Sequence, residues 1–155
     1  MKKPKKSIDY LNELLILNFE SEKIFLHALS KVNNVVLKNF FRVFGYERNQ
    51  IIKSLDSLIR QKGAIPSYPE DSFVSNHKLN ASIKEIISSK NEQLLLTEIG
   101  RLKLANIEKY QKTLNSYEFS EEIETSLKQQ KDTLVKSLYA IEVHKDFFAK
   151  NVVSH

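Results

Sequence analysis

Cysteine and tryptophan are absent from this chain of 155 residues, and glycine and proline occur three times each. Without cysteine there is no disulfide, no thiolate metal site and no cysteine nucleophile. The shortage of Gly and Pro removes the breakers that many short strands and tight turns would need, so long helices are expected. Also missing is any apolar run approaching the roughly 18 residues that cross a bilayer, so no membrane partner is expected. The basic start MKKPKKSIDYLNELLIL is interrupted by Asn12, Glu13, Asn18 and Glu20 and is followed by no small-residue cleavage site. No signal peptide is read there, and a cytoplasmic location is expected. No Gly-rich phosphate loop and no nucleophile elbow is visible, which weighs against hydrolase and transferase chemistry.

What is present suits one helical domain: 41% of the residues are hydrophobic and the length allows a sizeable core. The net charge of +5 and the isoelectric point near 9.3 raise nucleic acid as a partner. Lys2, Lys3, Lys5 and Lys6 carry most of that excess in a short stretch, residues 1–7, expected to be a flexible basic tail. The body, residues 8–150, is close to neutral, and its aromatic residues are not interleaved with a basic stripe, so no specific nucleic-acid partner is expected.

Taken in order, the apolar spacing predicts a helix from Ile8 to Val32 with Ser7 as its N-cap; its seam of leucines is broken by Asn18 and Glu22, and Glu20 lies beside it. Asn33 and Asn34 supply a turn. A second helix carries Leu37, Phe40 or Phe41, Phe44, Ile51, Leu55 and Leu58 on one face, with Glu47 in the middle, and stops at Gly63. Residues 63–78 form a crossover whose Ile65, Tyr68, Phe73 and Val74 can pack on the helices, and a short helix is expected from Leu79 to Ser89. Helix three runs from Glu92 to about Asn115, with Gly100 implying a close neighbour and Arg101 bordering the stripe. Helix four starts after Ser120 and runs to about Ala149, with Gln130 interrupting its apolar face. These segments predict an all-α fold, an antiparallel four-helix bundle with a crossover and a short extra helix between helices two and three.

A carboxylate on an apolar face needs a partner, because burying an unpaired charge costs roughly several kcal/mol. A turn centred between Asn33 and Asn34 sets Glu20 and Glu47 at one height, and Arg101 is the expected cation between them. The expected buried polar network is Glu20, Glu22, Glu47, Arg101 and Gln130. Leu94 to Leu96, Ile86, Ile87, Leu104 and Ile107 give more apolar positions than one inward seam uses, which predicts a homodimer.

The residues LNELL in helix one, Phe41, the Glu47-Arg48 pair, Gly63-Ala64, and Glu98, Gly100 and Tyr110 in helix three resemble a bacterial family of ferritin-like four-helix-bundle proteins whose domain is of unknown function. The likeness covers about Ile8 to Phe148; it implies a ferritin-like fold and brings no established activity. Di-iron proteins of that fold use a Glu on each of two helices and Glu-x-x-His on each of the others. Here Ile24, Val74, Ile141 and Val152 stand three residues before His27, His77, His144 and His155, so the chain contains no Glu-x-x-His. Gln50 follows Glu47 at that spacing, and Arg101 stands where the family leads one to expect an acid. The resulting expectation is a structural or interaction module with no cofactor, acting through its surface as an oligomer, with a further protein partner possible, and leaning away from an enzyme. The alternative is a degenerate iron- or manganese-binding oxidoreductase or iron-handling protein, with Glu20, Glu47, Glu98 and His144 as candidate metal ligands.

Overall fold

A computed structural model describes residues 4–69, 83, 85–87 and 91–153, with side chains described as far as residue 146. Four long helices account for most of them: α1 (Ser7–Lys31), α2 (Val35–Gln61), α3 (Glu92–Ser116) and α4 (Glu121–Val153). No strand occurs among the described residues.

Local chemistry sets the ends. The Lys6 backbone N–H donates to Asp9 Oδ2 at 2.8 Å and fastens the first turn of α1. Asn34 Oδ1 accepts from the Val36 and Leu37 N–H groups at 2.8 and 3.2 Å, satisfying two otherwise orphaned donors at the start of α2. Past the end of α2, Gly63 has φ of 81°, a left-handed conformation that side chains disfavour. Asn91 Oδ1 caps α3 through the Leu94 N–H at 3.0 Å. At the start of α4, Ser120 Oγ accepts from the Ile123 N–H at 3.4 Å, and Glu121, Glu122 and Glu124 face the positive helix end.

α1 packs along α2 and α3 along α4, while the two pairs meet through α2 against α4 and α1 against α3. The core divides into two apolar regions. One gathers Leu11, Leu15, Leu55, Ile59 and Leu127; the other gathers Phe25, Phe41, Phe44, Ile99 and Ile141. Both regions draw on all four helices, and polar side chains lie between them.

Several expectations are corrected by this packing. The basic stretch is engaged from Lys5 onward: Lys5 pairs with Glu13 at 2.5 Å and lies over the Tyr10 ring, and Ser7 is a buried helical residue. Ile65 is exposed, since the chain after Gly63 runs outside the helices; Tyr68 instead donates to Asp56 at 2.6 Å and meets Phe19 edge-on. Phe73, Val74 and much of the expected short helix lie outside the described residues, although Ile83 and residues 85–87 are helical. Of the apolar surplus read from the sequence, Leu95, Leu96 and Ile87 are buried, Ile86 and Ile107 are half-buried, and Leu94 and Leu104 are exposed. A Cβ on Gly100 would meet Glu142 and Leu138 at ordinary contact distances, 3.6 and 3.8 Å, so no close helix approach explains this glycine. The tight approach is at Gly45, where a Cβ would lie 3.2 Å from Leu26 Cδ2.

Candidate functional site

The mid-height of α2 faces inward through Arg48, not Glu47. Arg48 is 1% exposed and Glu47 is half-buried at the side. Both residues fit the spacing from Phe44 to Ile51, but Phe41, Ile52 and Ile59, all buried, lie on the Arg48 side and turn the face by one residue. The same rotation occurs on α1, where Asn18 and Ser21 are buried and Glu20 and Glu22 are half-buried.

Arg48 is held by amides rather than by acids. Its Nη1 donates to Asn18 Oδ1 at 3.0 Å and to Asn106 Oδ1 at 2.8 Å, and Ser21 Oγ donates to the same Asn106 oxygen at 2.9 Å. Asn18 Nδ2 donates to Tyr110 Oη at 2.9 Å, and the Tyr110 hydroxyl donates to Gln130 Oε1 at 2.7 Å. Gln130 Nε2 continues to Ser126 Oγ at 3.2 Å and Ser54 Oγ at 3.4 Å. One hydrogen-bonded thread therefore crosses all four helices. Arg48 Nη2, also buried, has no hydrogen-bond partner among the described residues. Burial lowers the Arg48 pKa to about 10, against the raising influence of Tyr110 and Glu47, and burial pushes the Tyr110 phenol upward.

One turn before Asn106 on α3 lies a second buried base. Lys103 is 1% exposed; its Nζ donates to Ser137 Oγ at 2.5 Å and stands 3.6 Å from the Phe44 ring centroid and 4.7 Å from that of Phe25. Burial, and then the positive charge of Arg48, hold its amine well below the ordinary value of 10.5, while Glu47 opposes them. Glu47 is displaced the other way: burial raises its carboxyl, and Lys103 and Arg48 lower it by less.

Two grooves flank this layer where the helix pairs meet. Between α2 and α4 lies an apolar groove of about 410 Å³, with Phe40, Val43, Phe44 and Ala140 in its walls and Glu47, Lys136 and Ser137 as polar members. Between α1 and α3 a groove of about 310 Å³ is lined in part by Glu13, Glu20, Ser21, Asn106 and Lys109. Glu20 and Glu47 thus line different grooves and are not brought together.

Arg101 is not the internal cation: its side chain is 72% exposed and pairs with Glu98 at 3.0 Å on the same helix. It lies off the buried face that Leu96, Ile99, Lys103 and Asn106 define. Gln130 is within the buried thread; His144 is half-buried with its ring edge-on to Phe40 at 5.0 Å. Lys103, Asn106 and Ser137 were not singled out from the sequence. The available signal was polar residues recurring at matching heights on facing helices, as Asn18 and Gln130 already did.

A di-iron or manganese centre requires carboxylates and histidines converging at mid-height. No group of three or more such side chains is assembled among the described residues. The buried positions hold Arg48 and Lys103, whose positive charge repels a divalent ion, so this donor set does not fit such a centre. No described helix is long and apolar enough to cross a membrane. Residues 6–116 match a family described as a domain of unknown function (DUF2383). No curated protein and no solved structure matches the chain.

Proposed function

The chain belongs to that family, and we propose that it is a bacterial ferritin-like four-helix bundle that works as a binding module through the groove between α2 and α4, without redox chemistry at its centre. The observation that carries this reading is the pair of buried bases, Arg48 and Lys103, at the height where a metal centre would need acids. The interior polar groups are largely occupied with one another, which suits a structural layer. The groove beside it is mainly apolar, with few polar groups, the usual character of a ligand-binding surface.

Elemental analysis of protein purified without chelators, combined with thermal melts in added iron(II) or manganese, tests the metal half. Substoichiometric metal and unshifted melts are expected; stoichiometric metal with a melt that rises with metal concentration would overturn it. The groove half is tested by Val43→Asp, which places a charge on the apolar wall and should weaken binding of octanol at that surface while leaving the buried layer folded.

A further inference from the structure

The α2–α4 groove has one polar group at its floor that is itself fixed by a buried base. Ser137 is 5% exposed, lines the groove, and accepts a hydrogen bond from Lys103 Nζ. That bond uses a lone pair of the hydroxyl and leaves its hydrogen for another acceptor. The walls around it, Val36, Phe40, Val43, Phe44 and Ala140, offer apolar contact, with Asn39, Glu47 and Lys136 as the other polar members of the lining.

Charge points the same way. Arg48 and Lys103 place two bases in the interior, and Glu47 is the acid that acts on both. An anion accepting from Ser137 Oγ would lie directly in front of Lys103, whose Nζ holds that oxygen from behind, in a poorly solvated place where such interactions are strong. Lys136 adds a further, exposed cation at the rim, paired with Asp132 at 3.0 Å. Glu47 lines the same groove and works against an anion, which gives the idea a signed test.

We propose that this groove binds a free aliphatic monocarboxylate, with its hydrocarbon chain along the α2 and α4 walls and its carboxylate accepting a hydrogen bond from Ser137 Oγ, backed by Lys103. The site rests on the reading of the groove as the working surface.

Titration calorimetry of the full chain with octanoate and with octanol separates the two levels, with Ser137→Ala, Glu47→Gln and Val43→Asp as variants. Octanoate is expected to bind about tenfold more tightly than octanol, the size of one charge-assisted hydrogen bond. Ser137→Ala should remove that preference without weakening octanol, and Glu47→Gln should tighten octanoate severalfold while leaving octanol unchanged. Val43→Asp should weaken both. If octanoate and octanol bind alike and Ser137→Ala alters neither, the carboxylate site is wrong and the groove reading survives. If neither ligand binds and light scattering gives a dimer that Val43→Asp dissociates, the groove is an interface between copies and the carboxylate site is again wrong. If neither binds and the mass is monomeric, both readings fall. Circular dichroism of each variant confirms the fold before binding is measured.

Discussion

Arg48 and Lys103 lie in neighbouring regions of one buried layer, and the molecule treats them differently. Arg48 is enclosed by amide oxygens from α1 and α3 and is tied through Asn18 and Tyr110 to α4. Lys103 has a single hydroxyl and two aromatic rings. Burial lowers both bases; the fold gives Arg48 two acceptors, both at Nη1, and gives Lys103 one. The Arg48 region is a structural joint tied to all four helices, whereas the Lys103 region lies beside an open groove.

The largest effect should come from breaking the Arg48 side. Arg48→Met leaves Asn18 Oδ1 buried without its donor, and an unpaired buried acceptor costs about 1 to 3 kcal/mol in addition to the lost packing. A loss of about 2 to 3 kcal/mol is expected in urea unfolding; a variant as stable as the parent would show that the joint does not hold the helices together. Tyr110→Phe cuts the thread between Asn18 and Gln130 and should cost about 1 to 2 kcal/mol by the same measurement.

Lys103→Met should act in the opposite direction. It removes a poorly compensated buried amine, and Ser137 can turn its hydroxyl to a carbonyl of its own helix, so a gain of about 1 kcal/mol at neutral pH is expected. The sign with pH follows from the lowered amine. The unfolded chain binds the proton more tightly, so the contribution is complete above 10.5 and is lost as the pH falls toward the folded value. Arg48 and Glu47 of α2 are the charged groups acting on this amine, α1 offers it the Phe25 ring, and α4 offers the Ser137 hydroxyl. Melting temperature should therefore climb from pH 7 to pH 9.5 in the parent, and Lys103→Met should flatten that climb; parallel profiles would mean the amine titrates normally. The smallest effect is assigned to Arg101→Met. An exposed pair of this kind contributes about 0 to 1 kcal/mol, so its melt should match the parent's within a degree or two, roughly.

Much of the secondary structure was legible because its punctuation is local. Asn34, Gly63, Asn91 and Ser120 act within a turn of themselves, and the helix ends fall within a residue or two of the expected ones at these positions. Asn18 and Gln130 were also readable as polar breaks in apolar stripes. Which of two adjacent residues points inward was not. Glu47 and Arg48 both satisfy helical spacing from Phe44 to Ile51, and the choice goes with the buried Phe41, Ile52 and Ile59 on the Arg48 side of α2. The spacing alone does not decide it. Lys103 escaped because a lysine between Leu102 and Leu104 looks like ordinary surface charge, and only Phe25, Phe44 and Ser137, from three other positions in the chain, make it interior. Arg101 was placed inside because it borders the apolar stripe and two carboxylates at one height need a cation, and its own face of α3 puts it in solvent.

The thread from Ser21 to Ser54 also works as a vernier. Leucine and isoleucine faces slide past one another with little change in energy, because one apolar neighbour substitutes for another. A slip of one helical turn, about 5.4 Å, would carry Asn106 and Tyr110 out of reach of Arg48 and Asn18 and strand each of them in a dry interior. The two apolar regions hold the helices against each other, and the thread between them fixes how far along each one stands, so losing it should blur the alignment of the two helix pairs before it unfolds either.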